Sequence, residues 1–135
     1  MKTTFLILLV FATTLSCGDD DSNTTQEPLN LNEVSGVWNL TKFEPGFAET
    51  QNYDVGDIIW SVTAEDAINV ELNVTAHPQL PLNVNGSYPY TLNETENTIT
   101  IEGVEYDYEI FESTLKLYDD PEADGYILTF EELEN

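Results

Sequence analysis

From Glu33 onward the chain is built of short stretches in which apolar and polar side chains alternate one for one. The alternation is cleanest where Ile68, Val70, Leu72 and Val74 interleave with Asn69, Glu71 and Asn73. It recurs where Val104, Tyr106, Tyr108 and Ile110 interleave with Glu105, Asp107 and Glu109. A repeat of two puts successive side chains on opposite faces of a strand, so each stretch has one dry and one charged face. No segment of this part repeats its apolar positions at helical spacing. Strands are predicted over residues 37–43, 57–63, 68–74, 87–93, 98–102, 104–111, 114–118 and 125–130, separated by Gly, Asn, Asp and Pro clusters.

The connections are short. Gly103 turns one strand directly into the next, making residues 98–111 a tight hairpin, and Glu112-Ser113 turns again into Leu115 and Leu117. Neighbouring strands are therefore antiparallel, in a meander. A sheet with one dry face must curl to bury it, and closure also removes the edge strands that invite aggregation. The predicted fold class is all-β, a small eight-stranded antiparallel up-and-down barrel. A β-sandwich of similar strand count satisfies the same pattern.

The N-terminal pattern is different. Lys2 is followed by the uninterrupted apolar run from Phe5 to Ala12 and then by small polar residues, the layout of a signal peptide over residues 1–16. Eight apolar residues fall far short of the roughly 20 that a transmembrane helix needs. Residues 17–32 are rich in Asp, Ser, Asn, Thr and Gln and are read as a flexible tether. Residues 33–135 form one domain with one core.

Leu15-Ser16-Cys17-Gly18 resembles the lipobox of bacterial lipoproteins, and Cys17 is the only cysteine. The resemblance implies lipid on Cys17 and attachment to a membrane through it. The following Gly18-Asp19-Asp20-Asp21-Ser22 resembles the acidic export signal of Bacteroidetes surface lipoproteins, implying an outer-membrane protein facing the cell surface. Within the domain, Ser35-Gly36-Val37-Trp38 is similar to the Gly-x-Trp of lipocalins. The spacing of Tyr88, Tyr90 and Leu92, Ile99 and Ile101, Tyr106, Tyr108 and Ile110, and Leu115 and Leu117 is similar to that of lipocalin-like domains in Bacteroidetes lipoproteins. The chain has no arginine to stack on the tryptophan as lipocalins do, and its short strands imply a shallow cavity.

Charge restricts the partners. The chain holds 26 acidic residues against three lysines, a formal net charge of −23. Nucleic acid and phosphorylated ligands are not expected, since binding them depends on Lys and Arg. Direct docking on anionic headgroups is disfavoured too. The charge serves solubility or attraction to a basic partner or to calcium.

The inward set includes Trp38, Trp60, Tyr88, Tyr90, Tyr106, Tyr108, Tyr126 and Phe130. A barrel of eight strands is wide enough to be filled by its own side chains or to hold one small ligand. Trp38, Trp60, Tyr88, Tyr90, Tyr106 and Tyr108 are the candidate ligand-binding residues, and a void lined by Trp60, Tyr90 and Tyr108 would mark a site. Asp120 to Gly125, with Glu131 at the twelfth place, nearly matches an EF-hand loop, but strands on both sides would carry Glu131 away from it. A looser candidate calcium site uses Asp119, Asp120, Glu122 and Asp124; no other cofactor is expected. His77 is the only histidine, so neither a zinc site nor a nucleophilic constellation is suggested, and enzyme activity is not expected. Three functions follow as expectations: a surface lipoprotein binding a small apolar ligand or a partner, an acidic module that engages or inhibits a basic protein, or a calcium-dependent surface module.

Overall fold

The computed structural model describes residues 33–120 and 123–134. Residues 1–32, with the expected signal peptide, Cys17 and the tether, lie outside the described residues, as does Glu122.

Nine strands form one antiparallel sheet: β1 (Gly36–Pro45), β2 (Gln51–Asn52), β3 (Ile58–Val62), β4 (Ala67–Leu72), β5 (Gly86–Asn93), β6 (Thr98–Ile101), β7 (Val104–Phe111), β8 (Thr114–Asp119) and β9 (Tyr126–Glu132). Their order is β2-β1-β3-β4-β5-β6-β7-β8-β9, and β1 also pairs with β9 from Trp38↔Glu132 to Pro45↔Tyr126. That pairing closes an eight-stranded barrel and excludes the sandwich. Two-residue β2 is an addition to the predicted set: it pairs with Lys42 and Phe43 of β1, beyond the end of β3 on the same side.

The turns match the chemistry of their residues. Ile101 pairs directly with Val104, leaving Glu102 and Gly103 at φ 51° and 81°, the left-handed pair that a two-residue hairpin turn requires. Phe111 pairs with Thr114 across Glu112 at φ 53° and Ser113. In the β5–β6 loop Asn93 Oδ1 accepts the N–H groups of Thr95 and Glu96, an Asx-type fastening.

The alternation breaks within β1. A bulge between Leu40 and Lys42 in the β1–β9 ladder inserts Thr41, so β1 buries Trp38, Leu40 and then Phe43. Thr41 Oγ1 donates to the Thr129 carbonyl at 3.1 Å. Phe43 thereby joins Trp60, Phe130, Ile58, Ile68, Leu117 and Leu128 in the fully enclosed centre of the barrel. Trp60 and Phe130 lie with ring centroids 4.7 Å apart, tilted by 48°. The axis is filled by side chains.

The two ends differ. At the end where β1 begins, Val34 is fully buried and its carbonyl accepts the Trp38 indole N–H at 2.8 Å. The Tyr108 hydroxyl donates to the Glu33 carboxylate there, so the entering chain plugs that end. The opposite, loop end carries residues 46–50, 53–57, 73–85, 102–103 and the β8–β9 connection. The 53–57 loop is fastened by asparagines: Gly56 N–H donates to the buried Asn39 Oδ1 at 2.7 Å, and Asn73 Nδ2 donates to the Gly56 carbonyl at 2.8 Å. The long 73–85 loop folds back over the mouth and buries Leu80, with Ala76 and Leu82 packed beside it.

Candidate functional site

Three elements and one loop converge at the loop end. Trp60 rises from β3, Tyr106 from β7 and Tyr126 from the start of β9, while Pro81, Leu82 and Asn83 roof the space between them. Together with Tyr88, Ile101, Glu102 and Val104 they line a cleft of about 320 Å³. That lies near the lower end of small-molecule pockets. The 73–85 loop reaches this position because Leu80 is a lone apolar side chain between Pro78 and Pro81 and only 3% exposed. The Leu80 N–H donates to the His77 carbonyl at 2.9 Å, and the His77 ring packs on Phe43 at 5.4 Å.

The polar groups of the cleft are few. The Tyr106 and Tyr126 hydroxyls are 2.7 Å apart and share a hydrogen bond. Burial pushes both phenols above their ordinary range, and the nearby Asp119 carboxylate pushes them in the same direction, so both stay protonated. Trp60 is 2% exposed, yet its indole N–H has no hydrogen-bond partner among the described residues. Buried polar groups are nearly always paired, and an indole N–H can only donate. Trp60 thus lines the cleft while its indole N–H, shielded from solvent, lacks an acceptor among the described residues.

Other clefts lack this feature. One of about 450 Å³ lies on the other side of Tyr126, between Phe43, the 45–48 segment, Gln79 and Asp124. Another, of about 530 Å³, lies at the opposite end beside Glu33, Tyr108 and Phe111. Among the described residues neither is lined by one with an unsatisfied buried polar atom.

Of the six aromatic residues expected at a ligand site, the structure brings Trp60, Tyr88 and Tyr106 into one cleft. It does not bring the others there. Trp38 is held by Val34, the Tyr90 hydroxyl donates to the Thr63 carbonyl at 2.9 Å, and Tyr108 is turned toward Glu33 at the plugged end. Trp60 and Tyr108 line separate clefts at opposite ends of the barrel, and Tyr90 lines neither. Sequence reading left Tyr126 out of the ligand set and missed the 81–83 roof. Tyr126 was recognisable as an inward ring, whereas the roof had only the proline-bracketed Leu80 as its signal.

The acidic β8–β9 connection is a hairpin loop. Asp119 pairs with Tyr126, and both Ala123 and Gly125 donate their N–H groups to the Asp120 carbonyl at 3.0 Å. Gly125 passes so close to the Asp119 carbonyl that a Cβ there would overlap it. Glu131 is paired with Thr114 and Asn39 toward the other end of the barrel, away from an EF-hand position. Among the described residues no three acidic, histidine or cysteine side chains are gathered as metal ligands.

No protein-family model matches the chain, and no curated protein is measurably similar to it.

Proposed function

We propose that this chain is a lipid-anchored surface lipoprotein of the lipocalin-like kind whose barrel binds a small, largely apolar molecule at its loop end. The observation that carries the reading is the cleft of Trp60, Tyr88, Tyr106 and Tyr126, with its apolar walls and unsatisfied indole donor. The lipobox-like segment around Cys17 supports the anchoring. Since the described domain is entered at the plugged end, lipid on Cys17 would attach on that side. The cleft would open at the other end. Native mass spectrometry of protein purified from its source tests the reading: a bound small molecule, displaced by a fluorescent apolar probe, is expected. An empty barrel that takes up no probe would refute it.

A second reading rests on the rim of the same end. Phe47, Val55 and Val84 are 84%, 75% and 62% exposed, and the loops of that end also carry Glu49, Asp54, Asp57, Glu102 and Asp124. Exposed apolar side chains on acidic loops suit a basic protein partner. Binding to a cationic protein that weakens with salt, and is lost in Phe47→Ser, supports this reading; salt-independent binding argues against it.

A further inference from the structure

Resting on the reading of the cleft as a ligand site, we propose that its occupant is an uncharged or cationic ring compound carrying a carbonyl-type acceptor, seated on the Trp60 indole N–H, and that anionic amphiphiles are rejected.

The acceptor follows from the wall chemistry. The Tyr106 and Tyr126 hydroxyls already bond each other, whereas the Trp60 N–H is buried and without a partner among the described residues. The N–H is shielded from solvent, so a small turn of the ring or shift of residues 81–83 must admit the acceptor, which then satisfies a group whose desolvation folding has already imposed. A donor at that place would gain nothing.

The charge follows from the surroundings. Glu102 is in the wall, and Asp119 lies close enough to raise both tyrosines. Among the described residues no lysine or arginine lines the cleft. Lys42 is committed to Glu44 at 2.8 Å, and Lys116 borders a different surface, beside Glu109 and Phe111. A carboxylate brought here would lose hydration next to like charge with no cation to compensate it. The shape follows from size. A space of about 320 Å³ walled by three tyrosines, a tryptophan, Ile101 and Val104 suits a molecule of one to three rings.

The test uses a matched pair of fluorophores, 7-(diethylamino)coumarin-3-carboxylic acid and its ethyl ester, titrated into the mature chain carrying Cys17→Ser so that no detergent is needed. Both carry the ring carbonyl; only the acid is anionic at neutral pH. The ester is expected to bind at least tenfold more tightly. In Trp60→Phe, which keeps a ring but removes the donor, ester affinity should fall about five- to tenfold at temperatures where circular dichroism shows the variant folded. Glu102→Lys, an exposed turn substitution in the cleft wall, should shift the ratio of acid to ester affinity about fivefold toward the acid. Equal affinity for acid and ester, or an ester affinity indifferent to Trp60→Phe, would overturn the proposed ligand class and leave the cleft as a site. Binding of neither probe to the parent chain would instead remove the site reading itself.

Discussion

Leu80 holds the roof of the cleft, and Leu80→Ala measures how firmly. The side chain is 3% exposed and packs into the mouth of the barrel. The substitution removes three buried carbons, about 2.4 kcal/mol at about 0.8 kcal/mol for each. The loop lies at the open end, where it can settle inward, so little cavity cost adds to this. The expected loss is about 2–3 kcal/mol, toward the lower end of the Leu→Ala range. That corresponds to an increase of about 30- to 150-fold in the open population of the 73–85 loop. Amide hydrogen exchange reads it directly. The Leu80 N–H, bonded to the His77 carbonyl, should exchange faster by that factor, and urea unfolding should show a matching loss. A loss below about 0.5 kcal/mol, or unchanged exchange at Leu80, would refute the account of the loop as pinned by this side chain.

Three further outcomes follow from the structure. Tyr106, Tyr108 and Tyr126 hold their protons above the ordinary tyrosine range and Tyr118 is pushed up to about 12, each first through burial. The folded state therefore binds more protons than the unfolded chain above pH 10, and stability, fully present below pH 10, should fall as pH rises from about 10 to 12. Urea midpoints across that window, with absorbance at 295 nm, check it; flat stability would contradict it. With a net charge of −23 and a single ion pair, Lys42–Glu44, among the described residues, the melting temperature should rise by several degrees between about 20 and 300 mM salt. A flat salt profile would argue that the charges do not strain the fold. Glu112 sits at φ 53° in an exposed two-residue turn, so Glu112→Gly should stabilise by about 0.5–1 kcal/mol, and a lower melting temperature would count against the turn geometry.

Strand positions were legible because one-sided burial writes a period of two directly into the residues. The strands around Ile68, Tyr90, Tyr106 and Leu115 begin and end within a few residues of the predicted limits. Closure was a physical argument about edges, and the β1–β9 ladder meets it. What the pattern could not reveal is long-range. Phe43 is out of phase with Trp38 and Leu40, and only the bulge at Thr41, set by register with β9, turns it inward. Asn39 reads as an outward polar residue, yet it is fully buried because the 53–57 loop lies across it and bonds it through Gly56. The candidate site was half legible for the same reason. Alternation identifies Trp60, Tyr88 and Tyr106 as inward, but not the end of the barrel at which each lies, nor which hydroxyls find partners. Those depend on ring orientation and on a loop whose docking rests on one leucine.

On the proposed function Trp60 borders the ligand site while Trp38 is structural, and the chain's two tryptophans allow one spectrum to test this. An ¹⁵N-labelled sample should give two indole N–H signals, one from Trp38 bonded to the Val34 carbonyl and one from Trp60 without an acceptor. Titration with the neutral coumarin ester should move the Trp60 signal downfield as its proton gains an acceptor, leaving the Trp38 signal in place. Movement of Trp38 alone, or of neither signal at saturating ester, would contradict the account.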